Sequence, residues 1–354
     1  MNSDKKSRNA PGKPRKAKPA EGQAPAPSSA NLLIVAQSGR LEFEALVFAA
    51  SLRLAAPDWQ GQLFVAEPRP EAAWEGHDTQ IAPETRALLE EMGARILPFT
   101  ATRFGARYPY GNKIEALAAL PANQPFLFFD TDTLVTGPLD AVGFDFDRPS
   151  ASMRREGTWP KPPLYGPGYA DIWKSLYDRF GLDFDSTLDL GQPDEHWERY
   201  LYFNAGWFFG ADPAEFGRRF GDWAEELRSD PGDALACQSL DPWLDQVILP
   251  LVIHSFGGAR PGPGLKGLDG DVTCHYRNLP LLYARESDAA VDHLERAVAP
   301  NRLKKRLREW GPAKKLIYQG KGREKIRPMF DRDALPSKEQ AIRNQLKSKG
   351  WWLV

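Results

Sequence analysis

Apolar residues fall in short blocks along the chain, separated by polar, Pro-rich or Gly-rich punctuation. Leu32-Leu33-Ile34-Val35 is a compact apolar run, the pattern of a strand buried on both faces. After Ala36-Gln37-Ser38-Gly39, an Ala- and Leu-rich stretch from about Leu41 to Ala55 reads as a helix stopped by Pro57. A second strand, Gln62 to Ala66, ends in Glu67-Pro68. Pro83 opens a helix to about Met92 with Gly93 as its stop, and Arg95 to Phe99 reads as a third strand. Lys113 to Leu120 is a short helix with Ile114, Leu117 and Ala118 on one face, closed by Pro121. Phe126 to Phe129 is again wholly apolar, a fourth strand.

Strand–helix alternation of this kind predicts an α/β fold, a mainly parallel sheet with helices on both faces. In such sheets ligands bind beyond the carboxyl ends of the strands, where Gln37, Glu67 and the pair Asp130 and Asp132 fall. Residues 140–200 break the pattern. They are rich in Pro, Gly, Trp and Tyr, with one helix candidate near Ala170 to Phe180, and read as an insertion over the sheet edge. Leu201 to Phe209 is strand-like but interrupted by Asn204-Ala205-Gly206, where a glycine permits close approach to the backbone. Asp212-Pro213 and Asp241-Pro242 read as helix starts, and a Gly/Pro-rich loop, Gly257 to Gly270, leads into Val272 to Arg277. Asn301 to Trp310 reads as a basic helix, and Ser337 with Gln340 as a capping box for a last one. The expected organisation is a tail over 1–30, one domain over 31–300 with the 140–200 insertion, and a helical extension over 301–354.

Composition changes this picture at the two ends. Residues 1–30 are mostly Lys, Pro, Ala and Ser, with little to bury, and read as disordered. The net charge of −1 conceals ends of +5 and +11 around a body of −17. An acidic body argues against nucleic-acid binding, whereas the basic run 301–327 suits peripheral contact with an anionic membrane surface. No apolar run reaches membrane-spanning length and no signal-peptide core stands at the N-terminus, so a cytoplasmic location is expected, with that contact at the inner membrane face. Two cysteines, Cys237 and Cys274, make no disulfide scaffold and have no zinc-ligand spacing.

The candidate chemistry lies in Asp130-Thr131-Asp132. Two carboxylates at the end of a buried strand are costly without a compensating positive charge. Oxygen ligands suit a hard divalent cation, and Mg²⁺ or Mn²⁺ commonly completes its shell with substrate phosphates. The same residues also suit a solvated turn, since Asp and Thr are ordinary turn residues.

Five segments in order, G-N-K-I-E-A-L, F-L-F-F-D-T-D-T-L-V, Y-F-N-A-G-W-F-F, W-L-D-Q and C-H-Y-R, carry a resemblance over roughly Leu32 to Tyr283. Together they resemble the motif set of GT-A (Rossmann-like) glycosyltransferases, of the glycogenin-like and bacterial lipopolysaccharide galactosyltransferase-like class known as family 8. The resemblance implies one GT-A-like domain that uses Mn²⁺ or Mg²⁺ and a nucleoside diphosphate sugar, a UDP-sugar. It implies transfer to a glycan or lipid-linked hydroxyl with retention of anomeric configuration. Residue by residue, it implies that Asp130, Asp132 and His275 hold the metal, Asp130 also contacting the nucleotide. Lys113 lies near the nucleotide and the motif acids, Asn204 and Gly206 line the donor sugar, and Asp245 and Gln246 stand at the reaction centre. The family's H-x-x-G-x-x-K-P-W run is here His275 to Leu281 without its Gly, Lys or Trp, leaving Arg277 as the diphosphate partner.

Three other functions share part of this pattern. The D-x-D-x-[TV] loop of haloacid-dehalogenase-like phosphatases normally follows the first strand and has Thr or Val where Leu134 stands. A nucleotidyltransferase on a related fold needs a Gly-rich phosphate loop longer than Gln37-Ser38-Gly39-Arg40. A non-catalytic binding protein would use the aromatic insertion and the basic extension.

Overall fold

The computed structural model describes residues 30–155 and 157–353. The disordered-tail reading of 1–30 therefore falls, apart from Ala30, outside the described residues. The first four strands are β1 (Asn31–Val35), β2 (Leu63–Pro68), β3 (Arg95–Phe99) and β4 (Phe126–Phe129). They alternate with helices α1 (Arg40–Ala55), α2 (Pro83–Glu91) and α3 (Asn112–Glu115), the last continued by one 3-10 turn over Ala116–Ala119. Strands β5 (Thr133–Val135), β6 (Ala151–Ser152), β7 (Asn204–Gly210) and β8 (Thr273–His275) follow, with α4 (Tyr169–Arg179), α5 (Pro213–Ser229) and α6 (Leu244–Ser255) between them.

The main sheet has the order β3-β2-β1-β4-β7-β6. The pairings β1–β2, β1–β4 and β2–β3 are parallel, while β7 runs antiparallel to both β4 and β6. This is the mixed, mainly parallel α/β sheet that the alternation predicts. A side chain in a strand points to alternate faces. Leu127 and Phe129 accordingly join the apolar cluster on one face, and Phe126 and Phe128 the cluster on the other. Both faces of β4 are covered, which is why its sequence carries no polar alternation.

Local signals set several element ends. Gly39 at φ +91° makes the turn from β1 into α1, in the left-handed region that favours glycine. Asp212 caps α5 by accepting from the Ala214 N–H at 3.1 Å, ahead of Pro213. Asp241-Pro242, in contrast, precedes the start of α6 at Leu244 rather than capping it.

The C-terminal part is α7 (Leu279–Arg285), α8 (Asp288–Ala297), α9 (Asn301–Leu307), α10 (Gly311–Ala313) and α11 (Glu339–Ser348). It packs into the same apolar cluster as α1 and one face of the sheet. Leu303, Leu307, Trp310, Ala313, Leu316, Ile326, Phe330, Ile342 and Leu346 all belong to that cluster, and Trp310 stacks on Phe43 at 5.9 Å. Basic side chains of residues 301–327 pair with acids of residues 31–300: Arg302 with Glu91 (2.5 Å), Arg306 with Glu42 (2.9 Å), Arg323 with Glu295 (2.9 Å), and Arg327 with Asp288. The charge asymmetry of the sequence is thus partly an intramolecular match, and these pairs weaken the attraction expected between 301–327 and an anionic surface. The capping-box reading of Ser337 is corrected. The last helix starts at Glu339, with Lys338 at the cap position and no side-chain cap bond.

Deleting 301–354 removes those nine buried apolar side chains. At about 1.5–3 kcal/mol each, the loss equals or exceeds the roughly 5–15 kcal/mol that holds a typical domain folded. The truncated chain is expected to be aggregated or without a cooperative melt by circular dichroism and size exclusion. A soluble 1–300 fragment with a wild-type melting temperature would overturn this.

Candidate metal centre and donor cavity

Strand β4 ends at Phe129, and Asp130 follows on the carboxyl edge of the sheet between β1 and β7. The Asp130 N–H donates to the Gly206 carbonyl at 2.9 Å, continuing the β4–β7 ladder by one step. Asp132 is held from the other side. The small sheet β5–β8 pairs Thr133 with His275, and the Asp132 carbonyl accepts from the Tyr276 N–H at 2.9 Å. That register sets His275 beside Asp132, with Nε2 3.1 Å from Asp132 Oδ1 and 3.9 Å from Asp130 Oδ2.

One ligand atom from each of Asp130, Asp132 and His275 lies within 4.8 Å of the others. Two carboxylates and an imidazole are a donor set for one divalent ion, and their spacing fits such an ion. The imidazole is set by a glycine. A Cβ added at Gly206 would stand 2.3 Å from His275 Nδ1. Gly206→Ala is therefore expected to displace His275 and weaken binding of a divalent ion at this site by about tenfold or more, as loss of groups that orient metal ligands typically does. Calorimetry with Mn²⁺ checks it; wild-type affinity would clear Gly206 of that role.

A buried charge cluster adjoins the acids. Lys113 Nζ, on α3, sits 2.9 Å from Asp130 Oδ1 and 3.3 Å from Asp245 Oδ2, and donates to the Ala205 carbonyl at 3.2 Å. Burial works against the Lys113 charge, but Asp130 and Asp245 outweigh it and its pKa stands above the ordinary lysine value. The Asp245 side chain, on α6, is 2 % exposed. It accepts from the Tyr108 hydroxyl at 2.8 Å, and the Asp245 N–H donates back to that hydroxyl at 3.0 Å. Burial, and then the Asp245 charge, raises the Tyr108 pKa and keeps it a donor.

The two motif acids are tuned apart. Burial raises the pKa of Asp130 despite the pull of Lys113 and His275. For Asp132, burial acts the same way but His275, with Arg40 behind it, prevails, and the net direction is downward. Arg40 Nη2 lies 3.8 Å from Asp132, at the start of α1. Beneath it Glu44 is wholly buried, its carboxyl oxygens lack hydrogen-bond partners among the described residues, and burial followed by the Asp132 charge drives its pKa well up.

These groups open on a cavity of about 970 Å³ lined by Lys113, Asp130, Asn204, Asp245, Gln246, His275 and Arg277, among others. Asn204 Oδ1 accepts from the Gly206 N–H at 2.8 Å, and its Nδ2 donates to the Arg154 carbonyl at 3.1 Å. Gln246 Oε1 accepts from the Tyr202 hydroxyl at 2.9 Å. Arg277, at φ +65°, lies within 3.4 Å of Glu339 in α11. The structure therefore brings together every expected site residue except Gln37 and Glu67. Gln37 stands at the end of β1 as expected but accepts from Asn112 Nδ2 at 3.2 Å, outside this lining. Glu67 also lies outside this lining. Its buried carboxylate is taken by Arg86 at 2.6 Å and by the Ile81 N–H at 2.8 Å, which braces β2 against α2.

Sequence reasoning missed Tyr108, Tyr202, Arg155, Trp197 and the α11 residues Glu339 and Arg343, several of which line the cavity. The aromatic run around Tyr108 next to Lys113 was the available signal for one of them; the contribution of α11 had none.

A family model described as the Rhodobacterales glycosyltransferase domain matches residues 32–257. No curated protein matches the sequence. Among solved structures, the galactosyltransferase LgtC in complex with donor and acceptor sugar analogues is similar at 17 % identity, covering 77 % of this chain and 96 % of that one, with a TM-score of 0.44. The glycosyltransferase GlyE of Streptococcus pneumoniae TIGR4 is similar at 12 % identity, covering 82 % and 65 %, with a TM-score of 0.41.

Proposed function

The chain belongs to the Rhodobacterales glycosyltransferase domain family, and from that premise we propose that it moves a sugar from a nucleoside diphosphate sugar, a UDP-sugar, to a hydroxyl of a glycan or lipid-linked acceptor, with retention. Membership bears out the glycosyltransferase that the motif order implies. The observation that carries the finer reading is the convergence of Asp130, Asp132 and His275 on one metal-sized site at the wall of a cavity that also holds Lys113, Asn204 and Gln246.

In this reading Asp130, Asp132 and His275 hold Mn²⁺ or Mg²⁺, which when bound supplies charge neutralisation for a diphosphate leaving group. Lys113, 2.9 Å from Asp130, opposes the effect of burial on that carboxylate next to the nucleotide. Arg277 adds positive charge where the diphosphate would lie, positioned by Glu339. Gln246, fixed by Tyr202, presents its amide to the sugar without adding charge.

Retention is supported by what the cavity's carboxylates already do. An inverting transfer needs a carboxylate poised to deprotonate the acceptor. Among the described lining residues, Asp245 is bound to Lys113 and Tyr108, Glu339 to Arg277, Arg285 and Arg343, and Asp130 belongs to the metal set. Asp245 is thus a structural anion under the donor sugar rather than a base.

A thermal-shift panel of nucleoside diphosphates and nucleotide sugars, each with and without Mn²⁺, tests the donor. A metal-dependent rise with UDP and a UDP-sugar is expected, and no metal-dependent rise with any nucleotide would sink the reading. With a donor in hand, an NMR time course on the first-formed product decides the anomer; an inverted product would return the base role to an acid in the cavity.

A further inference from the structure

Two partly buried guanidinium groups of this protein, Arg154 and Arg285, are paired with carboxylates. Arg154 lies 2.8 Å from Glu286, and Arg285 2.5 Å from Glu339. Arg155, the next residue, is different. Its Nε and Nη1 are buried and have no hydrogen-bond partner among the described residues, yet it lines the large cavity. The guanidinium lies over the Trp197 ring at 4.5 Å and 5.8 Å from the centre of Tyr202. Those contacts hold the plane of the group but leave its buried Nε and Nη1 donors unmet among the described residues. A desolvated cation with donors unmet is costly, and a protein that keeps one in a cavity wall generally meets it with a ligand.

The position is fixed rather than loose. The Arg154 carbonyl, immediately before it, accepts from Asn204 Nδ2 at 3.1 Å and from Arg277 Nη2 at 3.4 Å. On the far side, Tyr202 donates to Gln246, so Arg155 stands on the sugar side of the cavity, next to the residue assigned to the donor sugar. Trp197 offers an aromatic face in the same wall.

We propose that Arg155, stacked on Trp197, is an anion-recognition residue that takes the carboxylate or phosphate of an acidic sugar bound beside Gln246. This rests on the glycosyl-transfer reading for the word sugar, but not for the anion site itself. A planar guanidinium matches a carboxylate or phosphate with two parallel N–H bonds. Burial, with Arg260 adding to it and Glu198 opposing, pulls the Arg155 pKa down to about 10, so the group remains a cation at neutral pH. The acidic group belongs either to the acceptor or to the transferred sugar; the chemistry at Arg155 is the same.

The test titrates the full chain by calorimetry, first with UDP and Mn²⁺, then in two arms. One arm compares glucose, glucuronate and glucose 6-phosphate, each with and without UDP and Mn²⁺, for an acidic acceptor. The other compares UDP-glucose with UDP-glucuronate in Mn²⁺, for an acidic donor. The expected result is a preference for the acidic member of about tenfold or more in one arm, lost in Arg155→Met and kept in part by Arg155→Lys. An acid preference with no response to UDP and Mn²⁺ would support the anion site and sink the glycosyl-transfer reading. Binding of UDP and Mn²⁺ with no acid preference in either arm, or a preference that survives Arg155→Met, overturns the anion site. A structural control accompanies it. Removing an unpartnered buried cation is expected to leave the melting temperature of Arg155→Met at or above wild type, and a fall of several degrees would make the group a packing clip and overturn the proposal.

Discussion

Asp132→Ala is expected to lose manganese-dependent UDP binding by about 100-fold or more, while the protein melts close to wild type. The affinity figure exceeds the roughly 10–100-fold that follows loss of groups merely orienting a metal ligand, because in the proposed function Asp132 itself is one of the three side chains that would hold the ion. The stability half of the prediction follows from the neighbours. Asp132 is a half-buried acid whose partners are His275 at 3.1 Å and the partly exposed Arg40 at 3.8 Å. Arg40 keeps Glu44 at 3.4 Å. Removing the Asp132 charge also relieves Glu44, whose upward shift is due first to burial and then to Asp132. Calorimetry with and without Mn²⁺, beside a thermal melt, reads both halves. UDP binding that stays metal-dependent at wild-type affinity would remove Asp132 from the site.

Lys113→Met is expected to act on the fold as well as on the site. It leaves Asp245, 2 % exposed, and Asp130 without the cation between them. Breaking a buried ion pair by removing one partner costs about 3–5 kcal/mol, because an uncompensated charge stays behind. The Tyr108 hydroxyl still donates to Asp245, but one neutral hydrogen bond does not replace an ammonium. The double variant Lys113→Met with Asp245→Asn is expected to recover part of the loss, since it removes the stranded charge along with its partner. Urea unfolding of the wild type and the two variants measures this. A single variant within about 1 kcal/mol of wild type, the scale of an exposed pair, would show that the cluster is solvated rather than buried.

Much of the fold was legible because its signals are local. The apolar runs at β1 and β4, the Asp212-Pro213 start of α5 and the Gly39 turn each depend on a few adjacent residues. Where those signals were weak the expectation was too simple. Two-residue β6 carries no pattern of its own and exists because β7 offers it an edge. The helix expected over Lys113 to Leu120 is a single α-turn followed by a 3-10 turn, since Lys113 and Asn112 are drawn to partners on other elements. Ser337 looked like a cap, but the burial of Glu339 among Arg277, Arg285 and Arg343 governs where α11 begins.

The sequence by itself determined the α/β class, the placement of two acids at the carboxyl end of a buried strand, and, through five ordered motifs, the glycosyltransferase family. Each of these is written in residue type and short-range spacing. Only the tertiary structure decided that His275 meets Asp132, through a β5–β8 ladder joining segments far apart in the chain. It alone showed that Glu67 serves Arg86, that Asp245 is occupied by Lys113 and Tyr108, and that Arg155 faces the cavity with donors unmet. The reason is physical. A charged side chain has the same composition whether it is paired, solvated or waiting for a ligand, and which of these holds depends on groups that folding brings to within a few ångströms of it.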